Sequence, residues 1–303
     1  MTLKLESFWA KPGFPVKSRL APTPSGFIHL GNELNFILTW LLIRSRQGKL
    51  VLRIDDMDRE RFRPAYLEDL FFRLDELGLD WDEGPIGPED FEKNWSQTLR
   101  LERYAETLKK LLVRDLIYPC FCTRKTGACS CESHQNPLDF PDLPWRILCK
   151  KTQVIQEEEL RSFCGLNPIT LTFSNHLFAS ELNFVVKRRD GKPAYQICSL
   201  TDDYDLGINL VVRGEDLLGS SLNQLFLARQ IGMHYFEESW FIHHPILADN
   251  DGKKISKSTG NQPVRLSKNQ VFEEFGKWMG WKKGPENLNQ CLDWFQETKS
   301  NQP

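Results

Sequence analysis

Residues 17–58 read KSRLAPTPSGFIHLGNELNFILTWLLIRSRQGKLVLRIDDMD, and this stretch decides the fold. KSRLA (17–21) reads as a short strand. PTPSG (22–26) packs two prolines and a glycine into five residues, which marks a turn. From about Asn32 to Arg46 the residues Leu34, Ile37, Leu38, Leu41 and Leu42 recur at helical spacing, and Gln47-Gly48 ends the helix. LVLRI (50–54) reads as a buried strand. Strand, glycine-bearing turn, helix and strand within about 40 residues make a parallel βαβ unit. In such sheets ligands sit at the carboxyl ends of the strands. The turn at 22–31 and the acidic tail DDMD at 55–58 both fall there.

Outward from this unit, the pattern predicts helices over 65–77 and 97–114. The cysteine-bearing segment 118–145 has little periodicity and reads as an insertion. Strands are expected at NFVVKRR (183–189), AYQICSL (194–200) and GINLVVRG (207–214), then a helix over 217–231. The strand FIHHPIL (241–247) leads to the loop DNDGKKISKSTGN, and two short helices, 268–279 and 287–298, follow.

With 303 residues, the chain fits one large domain or two smaller ones. Its net charge of −2 excludes a global basic field but leaves room for a local basic groove. The longest apolar stretch, Phe36–Ile43, is interrupted by Thr39, far short of the ~20 residues of a membrane span. The first 14 residues have no continuous apolar core and no small-residue cleavage pattern, so no signal peptide is read and a cytoplasmic location is expected.

Four cysteines fall within twelve residues: Cys120, Cys122, Cys129 and Cys131, with His134 close behind. Clustered cysteines in a chain without an export signal favour metal binding; free thiols in a reducing compartment are the alternative. Two Cys-x-Cys pairs across a short loop suit tetrahedral Zn²⁺ in a structural role. Cys120 and Cys122 are the firmer ligands; Cys129, Cys131 and His134 compete for two places.

Two further segments carry chemistry. A glycine-bearing turn at a helix N-terminus, Gly26 to Asn32, presents backbone N–H groups to an anion. His29 sits where the helix begins, able to donate to a phosphate or to act as a plain cap. Gly31 leaves space for an adenine or ribose on the backbone. The second segment is Lys253-Lys254-Ile255-Ser256-Lys257-Ser258, a lysine-rich loop that could fold over a triphosphate or stay solvated.

Taken together, RLAPTPSGFIHLG, LRIDDMD, AYQICSLTDDYDLGINLVVRGEDLL and KKISKS, in that order and spacing, resemble the glutamyl branch of the class I aminoacyl-tRNA synthetases over about residues 17–260. The resemblance implies an α/β fold: a Rossmann-type doubly wound parallel sheet with an inserted zinc-bearing acceptor-like subdomain. The divisions expected are an extension (1–16), the first half of the catalytic core (17–117), the insertion (118–182), the second half (183–260) and a short helical tail (261–303). It also implies that ATP and glutamate bind side by side and react to an adenylate, with Mg²⁺ on the pyrophosphate side. A carboxylate is ionised at neutral pH, so no general base is required.

Carried over by position, His29 and Lys257 would hold the phosphate oxygens, with Lys254 in support. Pro22, Gly31, Asn32, Lys254, Ser256 and Lys257 would contact ATP. Arg19, Ala21, Thr23, Asp55, Tyr195 and Arg213 would line the glutamate pocket. Arginine forks match the two carboxylates of glutamate, and Asp55 can take its ammonium. A surface salt bridge to Glu215 or Asp216 is the plainer reading of Arg213. Two positions depart from the family's pattern: Asn32 stands where a second His is usual, and Asp55 where Glu is usual.

Past Ser258 the chain runs only to Pro303, too short for the large anticodon-binding region of glutamyl-tRNA synthetases. The shorter glutamyl-queuosine tRNA(Asp) synthetases resemble this arrangement. They attach glutamate to the queuosine base of tRNA(Asp), so that tRNA is the expected partner of an expected monomer. The alternatives are an enzyme adenylating glutamate or a related amino acid for another acceptor, and a non-catalytic paralogue that binds nucleotide or tRNA.

Overall fold

The computed structural model describes residues 15–122, 131, 136–148, 183–245 and 265–300. Strand β1 (Lys17–Leu20), helix α1 (Leu30–Arg44) and strand β2 (Lys49–Leu52) form the βαβ unit. β1 and β2 pair in parallel, Ser18 opposite Leu50 and Leu20 opposite Leu52. α1 is apolar nearly all round, and Leu34, Phe36, Ile37, Leu38, Trp40, Leu41, Leu42 and Ile43 are all buried, as expected of a helix wrapped by other elements. Its exit turn needs Gly48: a Cβ there would come within 2.5 Å of the Val16 carbonyl oxygen.

A second parallel pair joins β6 (Leu210–Gly214) to β7 (Trp240–His244) through helix α5 (Leu218–Ile231). β6 lies beside β1. The Asn209 amide N–H donates to the Lys17 carbonyl at 3.0 Å, and the Asn209 side chain accepts from the Lys17 N–H at 2.8 Å. The strand order is therefore β2-β1-β6-β7.

Side chains alternate across this layer. Leu20, Leu50, Leu52, Leu210, Val212 and Ile242 share one core with α1, helix α2 (Pro64–Leu77) and the closing helices α6 (Lys268–Trp278) and α7 (Leu288–Ser300). Val51, Val211 and Phe241 share the other with helices α3 (Leu101–Val113), α4 (Tyr195–Asp205) and α5. Period-two alternation on buried strands thus places helices on both faces.

Between the halves stands an antiparallel sheet of β3 (Ile117–Pro119), β4 (Trp145–Ile147) and β5 (Val185–Lys187). Among the described residues no helix is long and apolar enough to cross a membrane.

One element differs in kind from the sequence reading. Of residues 194–200, expected as a strand, Tyr195 to Leu200 form the first half of α4. Ala194 is still extended and donates its N–H to the Val186 carbonyl at 2.9 Å; the helix begins at Tyr195. Ile197, Cys198, Leu200 and Thr201 bury one side, while Ser199, Asp202 and Asp203 are buried on polar partners. That inward polar set obscures the helical stripe, and tertiary packing overrides local preference.

Candidate active site

A cavity of about 210 Å³ opens where β1, β6 and β7 end. Arg19 and Ala21 reach it from β1, Arg213 and Gly214 from β6, and His244 from β7. His29, Gly31, Asn32 and Asn35 come from the start of α1, Tyr195 from the start of α4, and Trp278 from the end of α6. Parallel strands and the helices that follow them direct carboxyl ends and helix N-termini to one place. A Cβ on Gly214 would come within 2.5 Å of Asp216 Oδ1, so a larger residue there would displace the Asp216 side chain.

His29 is the N-cap residue of α1, with extended backbone and no capping hydrogen bond from its side chain. Its carbonyl accepts from the Asn32 and Glu33 amides at 2.8 and 3.2 Å, and its ring lines the cavity. The turn before it is fixed from outside. Ile28 donates its N–H to Asp69 Oδ2 at 3.2 Å, and Phe27 meets Tyr66 edge-on at 5.0 Å. The 15-residue α1 therefore aims its positive end at the cavity.

Arg213 is only 3% exposed. Its Nη2 donates to Gln224 Oε1 at 2.9 Å, while Nε and Nη1 have no hydrogen-bond partner among the described residues. Burial pushes its pKa down to about 10, opposed by Tyr195, with Arg19 adding to the depression and Asp203 resisting it. The guanidinium thus keeps its charge at neutral pH. Leaving such donors unmade costs about 1–3 kcal/mol or more, a cost that a bound anion removes.

Arg19 is tied into a buried ionic chain. Its Nε donates to Asp203 Oδ1 at 3.0 Å, and Arg53 Nη1 donates to the same oxygen at 2.6 Å. Arg53 then grips both oxygens of Asp55, at 2.8 and 3.0 Å. Asp55 is not in the cavity wall; it stands at the far end of this chain, with Gln97 Nε2 also 3.3 Å from Oδ1. Burial pushes its pKa up against the pull of Arg53. Pro22 and Thr23 are also outside the wall; their carbonyls accept from the Asp55 and Ser25 amides at 2.9 and 2.8 Å.

Sequence reasoning missed Asn35, His244 and Trp278. Burial lowers the His244 pKa, so the ring is neutral. Its Nδ1–H donates to the Pro245 carbonyl at 3.0 Å. Nε2 lies 3.0 Å from Asn35 Oδ1, and a neutral ring accepts there once the Asn35 amide is turned to present its nitrogen. Trp278 packs edge-on against His244 at 5.1 Å. A histidine pair and a proline closing a strand, directly before the lysine loop, was the available signal for His244. Trp278 gave none, because the tail helices carry no motif.

Apart from this cavity, the sulfurs of Cys120, Cys122 and Cys131 lie within 4.8 Å of one another, with Cys122 and Cys131 3.3 Å apart. Cys129, His134, Lys254, Ser256 and Lys257 lie outside the described residues.

Residues 15–127 and 176–274 match the family described as tRNA synthetases class I (E and Q), catalytic domain. The chain is 34% identical over 275 residues to a glutamyl-Q tRNA(Asp) synthetase of Nitratidesulfovibrio vulgaris, covering 84% of this chain and 81% of that protein. It is 30% identical over 307 residues to glutamate–tRNA ligase 1 of Cereibacter sphaeroides, covering 93% of this chain but 60% of that protein. The crystal structure of a glutamate tRNA ligase from Elizabethkingia meningosepticum shares the fold, with TM-score 0.63 and 22% identity over 84% of this chain and 54% of that one. By the extent of these matches and by its α/β catalytic fold, the chain belongs to the class I glutamyl- and glutaminyl-tRNA synthetase family.

Proposed function

We propose that this chain activates glutamate with ATP to glutamyl-adenylate and transfers the glutamyl group to the queuosine base of tRNA(Asp). The observation that carries the activation step is the buried, half-unpartnered Arg213 guanidinium in a cavity shared with Arg19, Tyr195 and the N-terminus of α1. The queuosine-directed acceptor is supported by the likeness to the glutamyl-Q tRNA(Asp) synthetase, of which the chain covers 81%.

In this reading Arg213 takes a substrate carboxylate in charge-assisted hydrogen bonds. Arg19 and the Tyr195 hydroxyl face the same ligand, and Ala21 leaves it room. Asp55 serves glutamate indirectly, by holding Arg53 and through it Asp203 and Arg19. The α-carboxylate attacks the α-phosphorus of MgATP; the bond to the bridging oxygen breaks, and pyrophosphate departs with the electron pair. His29, the N-terminus of α1 and the loop residues Lys254, Ser256 and Lys257 stabilise the charge on the phosphate oxygens. Pro22, Gly31 and Asn32 bound the adenosine. A queuosine hydroxyl then attacks the glutamyl carbonyl, losing its proton as the ester forms and AMP leaves.

The thiols of Cys120, Cys122 and Cys131 fit three corners of a structural zinc site. Zn–S bonds of about 2.3 Å place tetrahedral sulfurs about 3.8 Å apart, close to the spread seen here. The fourth corner falls to Cys129 or His134. The metal would tie the segment after β3 to residue 131 and take no part in adenylation.

Exchange of labelled pyrophosphate into ATP tests the activation step. Glutamate-dependent exchange is expected; exchange with no amino acid defeats the enzyme reading, and exchange with another amino acid alone corrects the substrate.

A further inference from the structure

Four arginines are buried among the described residues: Arg19, Arg53, Arg73 and Arg213. Arg19 faces the Asp203 carboxylate, Arg53 faces Asp203 and Asp55, and Arg73 faces Glu33. Arg213 alone of these is held by a neutral amide, that of Gln224 on α5. Gln224 is itself fully buried and lies behind Arg213, outside the cavity wall. A guanidinium only donates, so the amide must present its oxygen to it. His243, whose Nε2 lies 2.7 Å from Ser221 Oγ, adds no negative charge, and the Asp203 carboxylate that acts on Arg213 is already shared by Arg19 and Arg53.

We propose that Gln224 is a positioning residue whose neutrality keeps the Arg213 charge uncompensated and available to a substrate carboxylate. The proposal rests on the reading that Arg213 receives glutamate. An acceptor at this position is needed to orient the fork, because a buried guanidinium with no fixed partner has several rotamers to choose from. A carboxylate would orient it equally well but would neutralise it in a low-dielectric setting, where a buried pair holds together strongly. The amide supplies the orientation without the charge. The unpartnered Nε and Nη1 are what this arrangement leaves for the ligand.

Two substitutions separate charge from orientation. If Gln224 serves only as a hydrogen-bond acceptor, Gln224→Glu preserves function and Gln224→Met damages it. If its neutrality matters, Gln224→Glu is the worse of the two. Glutamate-dependent pyrophosphate exchange is measured for the wild type and both variants, with separate KM values for glutamate and ATP and a melting curve for each protein. The expected result is a glutamate KM raised at least about tenfold in Gln224→Glu, the scale of a charge-assisted hydrogen bond. Gln224→Met is expected to raise it about threefold, with the ATP KM nearly constant in both. A Gln224→Glu enzyme with glutamate KM at or below wild type overturns the proposal while leaving the glutamate reading intact. If Gln224→Glu does not fold, a Gln224→Met enzyme with unchanged glutamate KM overturns it equally. A wild-type protein with no glutamate-dependent exchange overturns the underlying reading, and the proposal with it.

Discussion

Arg19 Nε and Asp203 Oδ1 lie 3.0 Å apart across 184 positions of sequence, joining the end of β1 to α4 within the protein. Arg53 shares the same oxygen, and Asp203 is wholly buried. Two buried cations therefore rest on one carboxylate. Removing it in Asp203→Ala leaves both without that partner, a change expected to cost about 3–5 kcal/mol of unfolding free energy. Urea unfolding checks this; a loss under about 1 kcal/mol would show that water or Asp55 takes over the role.

Arg213 carries the opposite expectation. Among the described residues its buried guanidinium keeps donors unmade, so Arg213→Met removes a cost from the free protein as well as an anchor from the ligand. The glutamate KM is expected to rise at least about tenfold while urea stability stays level or increases. A variant with normal glutamate KM would place the carboxylate elsewhere.

His243 makes stability depend on pH. Burial and the neighbouring Arg213 push its pKa from 6.5 down to about 3, so the unfolded chain binds a proton that the folded chain refuses. Its contribution is present above about pH 6.5 and is lost progressively as pH falls towards 3. At pH 5 the loss is about 2 kcal/mol. Asp202 works in the other sense: burial raises its pKa to about 6, so its ionisation cost is relieved on acidification and masks part of the effect. Comparison with His243→Gln isolates the histidine. From pH 7.5 to pH 5 the variant is expected to gain about 2 kcal/mol relative to wild type; equal slopes would mean that the ring is protonated when folded.

The three converging thiols lead to an expectation of about one zinc per chain by elemental analysis, falling strongly in Cys122→Ser. A well-folded protein purified without chelators and free of zinc would leave the thiols without a metal role.

The fold was legible because residues 17–58 obey simple rules. A Pro/Gly turn, a 3.6-period helix and a buried strand specify a βαβ unit, and that unit locates the carboxyl ends of the strands. Arg19, His29, Gly31, Asn32, Tyr195 and Arg213, named from sequence, all lie in one cavity wall. Asp55 was harder to place. Its position after β2 was readable, but its capture by Arg53 two residues earlier depends on Asp203 arriving from α4. The misreading of 194–200 has the same origin: Ser199, Asp202 and Asp203 are polar because they face a buried ionic chain rather than water. Trp278 belongs to the site only through the packing of α6 against His244, which no local pattern encodes.

The measurement that reaches furthest is transfer of radiolabelled glutamate to two preparations of tRNA(Asp), one containing queuosine and one lacking it, in the presence of ATP. Label on the queuosine-containing tRNA, absent from the other, is the predicted result. Equal labelling of the two, or none on either while pyrophosphate exchange proceeds, would contradict the account and assign the adenylate to a different acceptor.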